Sequence, residues 1–204
     1  MPRDSRGLVN HFSTLAASMT HMEAVIDDSR AAAVIAQVAA GDEVAFARLV
    51  AGHHDDMARV AFVICGDPDL AQEAVQAAWP KIWQKVGTVR DPARLKAWLV
   101  SVAANEARQL ARRRGRRQVR EVAVDGAPDT AASAARADPA ERAAEIDLAN
   151  ALAALDPTDR AVLALRYVAG FSSAEIGSAM GLSAGGVRAR TARLLNRLRR
   201  ELQP

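Results

Sequence analysis

Apolar residues recur at three- and four-residue intervals along most of this chain, and no segment reads as a strand. Phe46, Leu49, Val50, His53, Met57, Val60, Ala61 and Ile64 trace one buried helical face, which ends at Gly66. A shorter Ala/Val/Ile helix precedes it over 29–40. Asp67 and Pro68 predict the start of a third helix, an N-cap followed by proline at a position where the missing N–H costs nothing. Leu70, Ala74, Ala78 and Ile82 line its inner face, with Trp79 and Trp83 adjacent. Pro80 falls inside it and is expected to kink or break it. Asp91 and Pro92 repeat the signal, and Leu95, Trp98, Leu99, Val102 and Leu110 carry the next helix to about Arg113.

Residues 115–137 change character to Gly, Asp, Pro, Ser and Ala without periodicity, the composition of a flexible linker. Asp138-Pro139 and Asp156-Pro157 open two further helices. The first carries Ile146, Leu148, Leu152 and Leu155. The second carries Val162, Leu163, Leu165 and Tyr167 and ends at Gly170. Ser172 and Glu175 form a capping box for a short helix with Ile176, Ala179 and Met180 on its apolar stripe. Gly181 ends that helix, and Ser183 caps a last one carrying Val187, Leu194, Leu195 and Leu198. Two helices joined by a glycine turn, the second rich in arginine, predict a helix-turn-helix that lays its second helix in a DNA major groove. The expected fold is all-α: an N-terminal arm over 1–27, a helical domain over 28–114, the linker 115–137, and a helix-turn-helix domain over 138–204. Met22 is a candidate initiator within the arm.

Composition agrees with packed helices. Of 204 residues 50% are hydrophobic, largely alanine, and 4% are aromatic. The net charge of +3 hides a pattern. One basic cluster spans Arg108 to Arg120 and another covers the last helix, with Asp125, Asp129, Asp138, Glu141, Glu145 and Asp147 between them. Two basic patches point to two contacts with a polyanion. Cys65 is the one cysteine, so no disulfide framework or cysteine-based zinc site is expected, and a packed thiol is. No apolar run reaches membrane-spanning length and no signal peptide is read, so the expected location is the cytoplasm.

His53-His54-Asp55-Asp56 has the residue types of a metal cluster, but neighbours on a helix point about 100° apart and do not converge on one ion. No phosphate-binding glycine loop, GxSxG or HExxH occurs. No nucleophile and base can be assembled, so neither an enzyme nor a cofactor is expected. Two other functions compete for these features: a two-domain helix-turn-helix repressor or activator, and a metal-dependent hydrolase built on the His-His-Asp-Asp run.

GDEVAFARLVAGHHDDMARVAFVICGDPDLAQEAVQAAWPKIW and AWLVSVAANEARQLARRR, followed by ALAALDPTDRAVLALRYVAGFSSAEIGSAMGLSAGGVRAR, resemble an extracytoplasmic-function sigma factor of bacterial RNA polymerase. The resemblance covers about Gly41 to Arg200. It implies a region 2-like domain, a region 4-like domain, and partners: core polymerase, promoter DNA and an anti-sigma protein. The family's acidic-x-x-Gln motif falls on Glu73 and Gln76, implying a polymerase-binding surface completed by Trp79 and Trp83. Ala77 and Pro80 depart from the family pattern there. Arg90, Lys96, Asn105, Arg108, Arg112 and Arg113 are implied readers of the −10 strand, with Ala104 where arginine is common. The linker corresponds to the segment that threads the polymerase cleft. Ser183, Gly186, Arg188, Arg190 and Arg193 are implied −35 readers, with Gly186 where threonine is common.

Overall fold

The computed structural model describes residues 28–121 and 139–202, with side chains placed over 30–117 and 146–202. Eight α-helices follow in order among the described residues: α1 Asp28–Ala39, α2 Glu43–Cys65, α3 Pro68–Lys85, α4 Leu95–Glu121, α5 Pro139–Ala153, α6 Pro157–Leu163, α7 Ser173–Met180 and α8 Ala184–Leu202. Short 3₁₀ turns at Val86–Thr88 and Pro92–Arg94 link α3 to α4. No strand occurs among the described residues.

The local signals operate as the residue types dictate. The Asp42 carboxylate accepts from the Val44 and Ala45 amides at 2.9 and 3.0 Å, and Asp67 accepts from Leu70 at 3.0 Å. Each satisfies donors that the first turn of a helix leaves open, typically about 1 kcal/mol per cap. Ser172 and Glu175 exchange the two bonds of a capping box. Gly181 closes α7 at φ 70°, a conformation costly for any residue with a Cβ.

Helices α2, α3 and α4 pack side by side. Leu49, Met57 and Ile64 from α2, Val75 and Ile82 from α3, and Leu99 from α4 are fully enclosed. Each such side chain contributes about 1.5–3 kcal/mol on burial. Leu163, Leu194 and Leu198 centre a smaller core with Ala151 and Leu155. The two domains pack against each other: Ala161, Val162, Leu165, Phe171, Ile176 and Val187 join the buried cluster of α2–α4.

Four details differ from expectation. Pro80 sits inside α3 without ending it. The proline is exposed, so water can take the carbonyl it leaves without a donor. Helix α4 does not stop near Arg113 but continues through Gly115 to Glu121, because arginine is a good helix former and one glycine costs only about 1 kcal/mol. Ile146, expected inside, is 53% exposed. After α6 the backbone widens into a π turn over Ala164–Val168, where the Ala169 amide donates to the Ala164 carbonyl at 3.1 Å. The N-terminal arm, the Asp138 cap and linker residues 122–137 lie outside the described residues.

Candidate nucleic-acid interface

Helix α3 turns Glu73 and Gln76 outward together, three residues apart on an exposed face, with Ala77 half-buried beside them. Trp79 does not join them. Its phase matches buried Val75 and Ile82, and it is 8% exposed. Its ring meets Phe46 edge-on at 5.7 Å, and its Nε1–H donates to His54 Nδ1 at 3.5 Å. Trp79 is therefore a core residue, unavailable to a partner on that face. Trp83 is half-buried and packs against the same Phe46 at 4.8 Å.

The second surface is a cleft of about 1000 Å³ along α4. Arg90, Asn105 and Arg108 line it. Arg108 donates to Asn105 Oδ1 at 3.0 Å, which fixes both side chains. Burial, then the neighbouring Arg112 charge, lowers the Arg108 pKa, so an approaching phosphate would relieve an unfavourable environment. Lys96 does not line the cleft; its Nζ lies 3.0 Å from Asp56 on α2. Lys81, Arg94 and Trp98 line the cleft, although the sequence reading does not place them there. The signal is present: Trp98, Ser101, Asn105 and Arg108 recur at helical spacing along α4, and Arg94 stands just before them in the preceding 3₁₀ turn. An aromatic ring amid guanidinium and ammonium groups suits single-stranded nucleic acid, through stacking and phosphate attraction.

Arg112 and Arg113 lie beyond this cleft, on a second one of about 720 Å³ shared with Arg116, Arg117, Asp156 and Pro157. Arg112 donates to the Thr158 hydroxyl at 2.5 Å and stands 4.0 Å from Asp156. Arg114 is also engaged, with the Asp67 cap of α3.

The third surface is α8. Ser183 Oγ accepts from the Gly186 amide at 3.0 Å and caps the helix. Ser183, Gly186, Arg188 and Arg193 are exposed. Arg190 is turned aside, its Nε 2.5 Å from Asp159 on α6. That ion pair fixes the arginine's stem beside the exposed row.

Among the described residues no three His, Cys, Asp or Glu side chains converge for a metal. His53 is buried, and both its ring nitrogens lack a partner. Burial, then Lys96, lowers its pKa and favours the neutral ring. Among the described residues no helix is long and apolar enough to cross a membrane.

Comparison with known proteins identifies the family. The Sigma-70 region 2 family matches residues 49–117, and the Sigma-70, region 4 family matches 145–198. The ECF RNA polymerase sigma factor SigL of Mycobacterium tuberculosis is 32% identical over 173 residues, covering 81% of this chain and 93% of that protein. The RNA polymerase sigma-E factor of Streptomyces coelicolor is 31% identical, covering 79% and 88%. The probable RNA polymerase sigma factor RfaY of Xanthomonas campestris is 30% identical over 80% of this chain, which spans 42% of that longer protein. Two solved structures share the fold. CnrH in complex with the cytosolic domain of CnrY superposes with a TM-score of 0.57 at 27% identity, covering 83% of this chain and 94% of that one. The sigma factor RpoE from Bartonella quintana, in complex with the anti-sigma factor NepR, gives 0.62 at 25%, covering 77% and 96%. This chain belongs to the extracytoplasmic-function sigma factors of bacterial RNA polymerase.

Proposed function

We propose a division of labour for promoter recognition and transcription initiation by this sigma factor. Glu73 and Gln76, with the exposed edge of Trp83, grip core polymerase. A carboxylate and an amide on one helical face offer acceptors to a basic partner helix. Arg90, Asn105 and Arg108 bind the melted −10 strand, with Trp98 as stacking platform and Arg112 and Arg113 on its phosphates. Ser183, Gly186, Arg188 and Arg193 contact the −35 duplex, and Arg190 joins them when its pairing with Asp159 yields. The observation that carries this reading is the polar stripe Arg94–Trp98–Asn105–Arg108 in an open cleft, on the same chain as a capped helix-turn-helix. The protein acts in the cytoplasm as a regulator of polymerase, without catalysis of its own. CnrH and RpoE were solved with CnrY and NepR bound, and an anti-sigma protein is the corresponding partner proposed here.

Run-off transcription with purified core polymerase tests the function. Promoter-specific transcripts are expected, and their absence, together with failure to co-purify with core, would sink it. Glu73→Lys should weaken core binding about tenfold, the size expected when a charged hydrogen bond becomes a repulsion, while leaving the thermal melt unchanged.

A further inference from the structure

Three carboxylates line the cleft proposed for the −10 strand: Asp91, Glu106 and Glu175. Two of them serve their own turns. Asp91 accepts from the Ala93 amide at 3.2 Å and pairs with Arg94 at 3.1 Å. Glu175 accepts from the Ser172 amide and hydroxyl at 2.8 and 2.7 Å. Glu106 caps nothing. It stands in the interior of α4, 9% exposed, and Lys81 of α3 places its Nζ 2.5 Å from Oε1. Among the described residues no hydrogen bond from the protein reaches Oε2. Lys81, Lys85, Arg90, Arg94 and Arg108 make the same cleft basic. A carboxylate among them weakens the attraction for phosphate, so backbone binding alone has no use for it.

Reading a base does have a use for it. Val102, Glu106 and Gln109 follow one another at helical spacing and line the cleft as a second row beside Trp98, Ser101, Asn105 and Arg108. Trp98 lies two turns back along α4, roughly 12 Å at ~1.5 Å per residue. Glu106 therefore meets a different base from the one stacked on that ring. The Lys81–Glu106 pair presents a donor, Nζ, and then two oxygens that only accept. A base taken out of the stack exposes its Watson–Crick edge. Guanine carries the O6 acceptor there, then the N1–H and N2–H donors, and matches the pair group for group. Adenine, cytosine and thymine each bring a single donor group to that edge, too few for both oxygens.

We propose that Glu106, with Lys81, is a specificity-determining residue that reads an unstacked guanine in the −10 strand; this rests on the −10 reading of the cleft given above. Guanine O6 accepts from Lys81 Nζ, and N1–H and N2–H donate to the two carboxylate oxygens. Arg90 and Arg108 hold the backbone and carry no base preference, whereas Glu106 sets the identity of one base.

The test uses the full chain assembled with purified core polymerase, titrated with single-stranded oligothymidylate or the same strand carrying one central substituted base. A strand with one deoxyguanosine should bind about tenfold tighter than the all-thymidine strand, the factor expected of a hydrogen bond to a charged group. Deoxyinosine lacks only the N2 amino group and should lose most of that gain. 7-Deazadeoxyguanosine lacks only N7, which is off the edge, and should bind like deoxyguanosine. Glu106→Gln keeps the side-chain size but turns one acceptor into a donor. The guanine preference should disappear, with binding of the all-thymidine strand retained. If the pair were only a brace between α3 and α4, the substitution would weaken every strand alike and leave their ranking unchanged. That outcome overturns the proposal, as does a guanine preference that survives Glu106→Gln. Equal binding of deoxyguanosine and deoxyinosine strands by the parent overturns it too, with no variant needed. Asn105→Ala with Arg108→Ala separates the two levels of the argument. If this double variant weakens all strands while the parent shows no guanine preference, the guanine assignment alone is refuted. If it weakens none, the cleft is not the −10 site and the proposal falls with that reading.

Discussion

A Cβ added to Gly177 would lie 2.6 Å from the Leu182 carbonyl oxygen. Gly177 lies in α7 and Leu182 in the turn that follows it, and the Leu182 amide donates to the Gly177 carbonyl at 2.9 Å. The backbone of the turn therefore closes directly onto α7 where a side chain would stand. The glycine is required for space, because its helical backbone conformation is open to any residue.

Gly177→Ala tests this contact. In an unobstructed helix the exchange would stabilise by about 1 kcal/mol. Here the obstacle is backbone, which cannot rotate aside, so a net loss of about 1–3 kcal/mol is expected. Thermal melting and binding to a −35 duplex should both suffer. Unchanged melting would show that the turn has slack.

His53 makes stability depend on mild acid. Its pKa is lowered below 6.5, chiefly by burial and then by Lys96, which is itself paired with Asp56. The unfolded chain thus takes up the proton first as pH falls. The stabilisation is complete above about pH 6.5 and is lost as pH drops through that value toward the lower folded pKa. His53→Leu removes two buried nitrogens without partners and keeps an apolar side chain of similar size. Stability should rise by about 1 kcal/mol, worth roughly 2–4 °C in Tm for a chain of this length. The slope between pH 7 and 5.5 should flatten. A variant that keeps the wild-type slope would assign the pH dependence to another group.

Cys65 titrates the opposite way. Burial pushes its thiol up to about 12, and the Sγ–H donates to the Ala107 carbonyl at 3.6 Å. The folded state therefore keeps the proton that the unfolded state releases near pH 9. Its contribution to stability is whole below pH 9 and is lost as pH rises toward 12. At pH 8.5 the native thiolate fraction is about a thousandfold below that of a free cysteine. Iodoacetamide should alkylate the native protein slower than the denatured one by two to three orders of magnitude. Comparable rates would refute the burial.

The elements legible in the sequence are those set by neighbours in the chain. Asp42, Asp67 and Ser172 cap helices two or three residues away, and side-chain chemistry alone specifies that. The inner faces of α2 and α4 are readable from their periodicity. The residues that the sequence misplaces depend on phase or on distant partners. Family resemblance groups Trp79 with Glu73 and Gln76, yet its spacing from Val75 and Ile82 already puts it inside. Trp98 reads as core and does pack against it, but its half-buried ring also lines the cleft beside Arg94 and Asn105, which core spacing alone does not signal. Lys96 falls among the −10 readers on charge, and only the approach of Asp56 from α2 takes it out. The Arg112–Thr158 bond joins residues 46 apart and has no local signal. The same is true of Arg190–Asp159, which removes one arginine from a row that looks uniform.

Gly186 is the position at which this chain's −35 preference is most open to change. Its exposed first-turn location on α8 places it, in the proposed function, against the duplex. Threonine there gains a few tenths of a kcal/mol in helix propensity over glycine. The new Cβ would stand 3.0 Å from Ser183 Oγ, the atom that caps the Gly186 amide. A serine hydroxyl can shift by a few tenths of an ångström, so the cap survives with a longer bond. The two effects oppose each other, and stability should stay within about 0.5 kcal/mol. DNA readout should not be neutral, because a methyl and a hydroxyl enter a surface that had neither. Gly185→Ala is the control: its Cβ would meet only Arg188 Nη2, at 3.9 Å, so it adds helix propensity with little change in the surface. Competition between −35 duplexes of varied sequence is expected to rank them differently for Gly186→Thr and identically for Gly185→Ala. An unchanged ranking for Gly186→Thr would remove this residue from the −35 interface.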